Sequence, residues 1–329
     1  MTAVRGRRRI PPVAFEETHA REVAGEPWRR EPVLGPVKRA FHEALRRLPV
    51  GFGPRLGHAL APVVQHMERR RLFARRLAWT LARLHPRAPL TAAEHTAAVR
   101  RWWQGTGAIM AEYATIERLR EAGRLEVVDP HGTLAGLPVD APVVFACVHL
   151  GPFELCFESV LNTFGREAVG TWQPEPSPTS NRILHDLRAR YGLYVFPPGQ
   201  RSARHLHKMV VGEGFDAILF VDEVRERQIH LPAFGRPLPE RGNASVAIKL
   251  ALKTEAPVVP IHVLRSGAAR YRVHVGAPLD FQREGAPDSA MMAGIAALDR
   301  HFEPIVRQNL DQWYMLPELR LPDFDPAKV

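Results

Sequence analysis

A chain of 329 residues, 45% hydrophobic and 24% charged, has the composition of a folded globular protein and the length for one large domain or two smaller ones. Its formal charge of +10, from 45 Lys and Arg against 35 Asp and Glu, points to anionic partners: phospholipid headgroups, acidic carriers, nucleotides or nucleic acid. Two cysteines, Cys147 and Cys156, argue against a disulfide framework and fit a reducing compartment, and no run reaches the roughly 20 uninterrupted apolar residues of a spanning helix.

Residues 1–35 mix Arg, Glu, Pro and Gly without periodicity and read as a poorly ordered basic extension. Its basic start is followed by no apolar stretch of the kind a cleaved secretion signal carries, so the expected location is the cytoplasmic side. Residues 36–124 read as a helical subdomain. Leu56, Leu60, Val63, Met67, Leu77, Leu81 and Leu84 recur at helical steps, and Arg69, Arg70, Arg71, Arg75 and Arg76 crowd the positions between them, which predicts an amphipathic basic helix. A capping box of Thr91 and Glu94 opens a further helix carrying Val99, Trp102, Trp103, Met110 and Tyr113.

From residue 125 to the end, apolar runs alternate with helical stretches. Strands are predicted at 125–128, 142–148, 169–172, 194–196, 216–221, 257–263 and 271–275. The alternation predicts an α/β fold, a mixed, largely parallel sheet flanked by helices. Met291, Ile295, Leu298, Phe302 and Ile305 mark a closing helix.

The segment 141–154 is a buried strand that ends on His149 and turns through Gly151 and Pro152 into a helix beginning near Glu154. In open α/β sheets the crevice beyond the carboxyl ends of the strands is where ligands bind. A carboxylate brought back to an imidazole there would orient it and favour its charged form, making the histidine a competent base for a hydroxyl. Read locally, His149 is equally a histidine satisfied by backbone groups beneath a turn, with Glu154 a solvated first-turn residue. Asp222 and Glu223 follow the strand at 216–221 and face the same edge, as a second carboxylate for the imidazole or as loop caps. Gly151, Arg225 and Arg236 are candidate substrate-binding residues, the arginines because guanidinium suits phosphate, although a solvated role is the commoner fate of any single arginine in so basic a chain. Cys147 lies two residues before His149 on the same strand face, but a cysteine inside an apolar strand is ordinarily a small core residue, and Cys147, His149 and Cys156 lack zinc-site spacing. Trp102 and Trp103 read as core or membrane-interface residues rather than a base-stacking platform.

The string His149-Leu-Gly-Pro-Phe-Glu154 resembles the His-x4-Glu signature of the lysophospholipid acyltransferase superfamily, in the branch of the bacterial lipid A late (lauroyl/myristoyl) acyltransferases. The resemblance continues in chain order over roughly 95–315: the basic stretch 204–214 ending in Gly, the strand 217–223 ending in acidic residues, Pro232-Ala-Phe-Gly-Arg236, the runs 242–247 and 256–261, and Gln312-Trp313. It implies transfer of a fatty acyl chain from an acyl carrier protein or coenzyme A thioester to a hydroxyl of a lipid A-type glycolipid or related lipid, with His149 as general base and Glu154 as its partner. No metal or tightly held cofactor is implied, and no nucleic acid is expected. Two departures stand out: Pro152-Phe153 replaces the family's small polar and aromatic pair, and the usual N-terminal span is missing. Attachment to the inner face of the cytoplasmic membrane is therefore expected through the helical subdomain, since Arg beside apolar residues suits an anionic lipid surface. Two other readings remain at this level: a thioesterase or lipid hydrolase using the same residues on water, and a non-catalytic binder of anionic lipid or nucleic acid.

Overall fold

The computed structural model describes residues 31–173, 177–196 and 200–325. Residues 1–30 of the predicted extension lie outside the described residues, and its last stretch is helical from Glu31.

Helices α1 (Glu31–Arg47), α2 (Phe52–Glu68), α3 (Leu72–Leu84), α4 (Ala92–Glu112) and α5 (Ile116–Glu121) precede the sheet. The predicted single basic helix is thus two, α2 and α3, joined by a turn at the exposed Arg69, Arg70 and Arg71. Their apolar residues have opposite fates. Leu60, Val63 and Met67 of α2 are exposed, at 47%, 58% and 73%, whereas Leu77, Leu81 and Leu84 of α3 are core. Arg76 is also buried, its Nε donating to the Pro317 carbonyl at 2.5 Å, so it belongs to the packing and not to a basic face. Gly57 of α2 and Gly107 of α4 cross so closely that a Cβ on either would collide with the other's carbonyl oxygen. Helix α4 starts as predicted: Thr91 Oγ1 accepts from the Glu94 amide at 3.3 Å, and the Thr91 amide donates to the Glu94 carboxylate at 2.9 Å.

The sheet contains β1 (Leu125–Val128), β2 (Val144–Cys147), β3 (Ala168–Thr171), β4 (Tyr194–Phe196), β5 (Asp216–Phe220), β8 (Val258–Gly267) and β9 (Arg270–Val275) in the spatial order β1-β9-β8-β2-β5-β3-β4. Every neighbouring pair is parallel except the β8–β9 hairpin, so the predicted mixed, largely parallel α/β sheet is the observed one. Between β5 and β8 lies a separate hairpin of β6 (Val224–Arg225) and β7 (Gln228–Ile229). The sequence did not announce it: two-residue strands show no alternation, and its turn uses Glu226 and Arg227 at φ of 54° and 62° where glycine or asparagine would be the usual signal.

Helices α6 (Glu154–Glu158), α7 (Pro178–Arg190), α8 (Gln200–His207), α9 (Asn243–Thr254) and α10 (Pro287–Gln308) cover the sheet. Alternation along the central strands divides the core in two. Val144, Ala146 and Val148 of the β2 run face a cluster with Trp102, Trp103, Leu77 and residues of α9 and α10. Val143, Phe145 and Cys147 face the other, with Phe153, Phe157, Leu187 and Phe220.

Candidate active site

Strands β2 and β5 are parallel neighbours, and their last paired residues are Cys147 and Phe220. Two residues further on, the two chains carry His149 and Asp222, which therefore leave the sheet side by side. Asp222 Oδ1 accepts from His149 Nδ1 at 2.7 Å, and Oδ2 accepts from the His149 amide at 2.8 Å and from Trp313 Nε1 at 2.8 Å. The carboxylate is wholly buried, while the imidazole retains 17% exposure. Phe153 meets the imidazole edge-on at 4.6 Å between centroids and Phe220 lies tilted against it at 4.2 Å. A carboxylate on Nδ1 fixes the tautomer that carries its proton there, which leaves Nε2 as an acceptor. Among the described residues Nε2 has no hydrogen-bond partner.

Glu154 goes elsewhere. Its carboxylate accepts from Nη2 of Arg188, from Arg188 Nε at 3.2 Å and from the Tyr191 hydroxyl at 2.6 Å, and it makes no hydrogen bond to His149. Of the three carboxylates expected near His149, the geometry brings Asp222 to the imidazole and neither Glu154 nor Glu223. The physical reason is burial: Glu154 has no solvent exposure, and a carboxylate there is held far better by a permanently charged two-pronged guanidinium than by a neutral imidazole. Burial alone would weaken the Arg188 charge, but Glu154 more than offsets it and holds the guanidinium above its ordinary range. Burial and the Glu154 charge push the Tyr191 hydroxyl up, so it stays a donor.

Glu223 accepts from the Asn243 amide at 2.5 Å, where α9 begins, and burial raises its proton affinity. Arg225 donates from Nη1 to Glu226 at 2.7 Å, and its buried Nε has no hydrogen-bond partner. Arg236 turns inward. Its nitrogens donate to the carbonyls of Ala233, Ile229 and Pro232 at 2.8, 2.7 and 3.1 Å, so the predicted phosphate ligand is instead a brace for its own loop. Gly151, at φ 51°, sits where a Cβ would lie 2.8 Å from the Val263 carbonyl oxygen, and its amide donates to the Gln312 carbonyl at 2.9 Å. Its role in this geometry is close backbone approach. Cys147 is buried, and burial, together with Cys156 and Asp222, pushes its thiol up, which suits a core residue and not a nucleophile.

Three partners carried no sequence signal for their roles. Arg188 and Tyr191 lie 34 and 37 residues from Glu154 and follow no pattern that points back to it. Trp313 stood out only within the family resemblance, with no role attached. Among the described residues no group of three His, Cys, Asp or Glu side chains is placed to hold a metal ion. A cavity of about 370 Å³ between α1 and α7, lined by Arg39, His42 and Arg190 among others, includes none of the His149 partners.

The family model described as bacterial lipid A biosynthesis acyltransferase matches residues 37–320, a span that holds His149 and all of its partners. The chain belongs to this family. Acyl transfer is accordingly its chemistry, and lipid A biosynthesis is the family's setting. No curated protein matches the chain. Among solved structures, that of chloroplast FtsY from Physcomitrella patens is similar at 13% identity over 76% of this chain and 97% of that one, with a TM-score of 0.25, too low to carry any argument.

Proposed function

We propose that this lipid A-family acyltransferase moves a fatty acyl chain from an acyl carrier protein or coenzyme A thioester to a hydroxyl of a lipid A-type glycolipid, with His149 as general base. The observation that carries the reading is the 2.7 Å bond from His149 Nδ1 to the buried Asp222 at the carboxyl edge of the sheet, which leaves Nε2 as the ring's acceptor. Nε2 takes the acceptor hydroxyl's proton as its oxygen attacks the thioester carbonyl, Asp222 stabilises the imidazolium, and the proton is returned to the departing thiolate. Glu154 serves this reading indirectly: anchored on Arg188, it fixes the turn that sets Phe153 against the imidazole. Arg225, whose side chain stays partly exposed, is the candidate for a phosphate of donor or acceptor.

No helix among the described residues is long and apolar enough to cross a membrane. The exposed Leu60, Val63 and Met67 next to Arg69, Arg70 and Arg71 support a peripheral site on the anionic inner membrane surface. Val63→Asp with Met67→Asp is expected to abolish flotation with anionic vesicles.

The deciding experiment incubates purified protein with acyl carrier protein and coenzyme A thioesters, with and without a lipid A precursor, and follows products by mass spectrometry. An acylated precursor, lost roughly 10²–10⁴-fold in a folded His149→Ala variant, is the expected result. Free fatty acid released at full rate without an acceptor would make the protein a hydrolase, and normal transfer by the alanine variant would overturn the base assignment.

A further inference from the structure

The residues that hold His149 and Asp222 from behind come from the far end of the chain. The short segment 312–314 runs against the histidine loop: the Tyr314 amide donates to the His149 carbonyl at 2.9 Å, the Gly151 amide donates to the Gln312 carbonyl at 2.9 Å, and Leu150 and Trp313 form a bridge. The Gln312 side chain accepts from the Arg265 amide at 2.8 Å, which ties the same segment to β8. Trp313 has no exposure, and its indole N–H goes to Asp222 Oδ2. Its own carbonyl accepts from the Trp102 indole of α4 at 2.8 Å.

We propose that Trp313 is a positioning residue for the His149–Asp222 pair, and that Trp102 fixes it in that role from the N-terminal helical layer. The proposal rests on the reading of His149 as general base. Oδ2 takes two donors, the His149 amide and the indole, so the plane of the carboxylate is set before Oδ1 meets the imidazole. Without the indole N–H, a buried lone pair is left unsatisfied and the carboxylate can rotate. The choice of donor matters too. A lysine or arginine here would neutralise Asp222 and cancel its support of the imidazolium, whereas an indole satisfies the oxygen, leaves the charge in place and fills the space water would take.

A hydrogen bond to an ionised carboxylate disperses its charge. Losing the indole N–H concentrates that charge on Asp222, which then holds the imidazolium more tightly. The next carboxylate along the chain, Glu223, accepts from the Asn243 amide at 2.5 Å and makes no hydrogen bond to the 312–314 segment.

Trp313→Phe is therefore expected to lower kcat about 10-fold, the effect of one lost bond to a charged group, with KM within about twofold, and to move the acid side of the pH–rate profile to higher pH. Trp102→Phe should shift the profile the same way by a smaller amount. Trp103→Phe, a buried neighbour with no bond to the segment, should cost stability and leave the profile in place. If Trp313→Phe does not fold, benzothienylalanine at 313 keeps the ring outline, lacks the N–H and carries the same expectation. An unmoved profile in the folded variant would overturn the proposal. A readout independent of activity separates it from the function itself: in ¹⁵N-labelled protein, Asp222→Asn should displace the Trp313 indole resonance. An unchanged indole resonance sinks the positioning role while leaving His149 as base. A displaced one beside a fully active His149→Ala keeps the bond but removes the chemistry it would serve.

Discussion

Asp222 and Glu154 are equally buried carboxylates at the same edge of the sheet, yet they are held in opposite ways. Asp222 receives its hydrogen bonds from an imidazole, an amide and an indole, none of which carries a fixed charge. Glu154 receives its own from Arg188, whose charge is permanent, and from Tyr191. A carboxylate already neutralised by guanidinium has little left to offer a charge that comes and goes, whereas one held only by neutral donors responds fully to protonation of its neighbour. Asp222 is placed to follow a proton on His149, and Glu154 is placed to keep a loop in shape.

The largest expected effect tests the first half of that contrast. Asp222→Asn keeps the size and most of the hydrogen bonds but removes the charge and frees the imidazole tautomer, so acyl transfer should fall roughly 10²–10⁴-fold with the melting transition nearly in place. Retained turnover would mean that Asp222 only closes a buried network.

Glu154→Gln tests the second half. It leaves Arg188 buried without its counter-charge, and the expected loss, read from urea unfolding, is about 3–5 kcal/mol, while turnover per folded molecule stays within about tenfold. Replacing both partners, Glu154→Leu with Arg188→Met, should recover much of that stability. If Glu154→Gln instead stays stable and loses as much activity as Asp222→Asn, the two carboxylates share the catalytic role and the contrast collapses.

A histidine without any carboxylate sharpens the comparison. His262 of β8 stacks on His274 of β9 at 4.7 Å, with His301 of α10 nearby. Burial first, then those two neighbours, bring its pKa from 6.5 down to about 3. The folded form thus disfavours a proton the unfolded chain accepts. Stability is complete above pH 6.5 and is lost as pH falls toward 3, by at most about 5 kcal/mol at 1.36 kcal/mol per unit. His262→Gln should flatten the pH dependence of chemical unfolding in that window, and an unchanged slope would assign acid lability to other groups. The smallest effect belongs to Cys147→Ser: the thiol has no part in the chemistry, so turnover per folded molecule should be near normal even if the buried hydroxyl lowers the melting temperature.

Local pattern carried much of this molecule. Apolar runs bounded by helical stretches placed the seven strands of the sheet within a few residues, and the Thr91 capping box was readable because its two members are three residues apart. His149 was legible because a strand ending on histidine and glycine is a local event. The α2–α3 split was not: periodicity says that apolar residues share a face, but only the neighbours decide whether that face is covered, and α3 found Trp103 and the core where α2 kept Leu60, Val63 and Met67 outside.

The partner of His149 shows the same limit most clearly. Sequence placed Glu154 nearest along the chain and offered Asp222 or Glu223 as a second carboxylate without choosing between them, because from sequence only separation along the chain is visible. The tertiary structure decided by strand order: β5 lies directly beside β2 in parallel, so residues 73 apart emerge side by side, while one helical turn and a buried arginine from α7 carry Glu154 away. Hydrogen-bonding capacity and charge type are written in each residue, but which of them meet is fixed by sheet register and by the requirement that every buried charge find a counter-charge or a full set of donors.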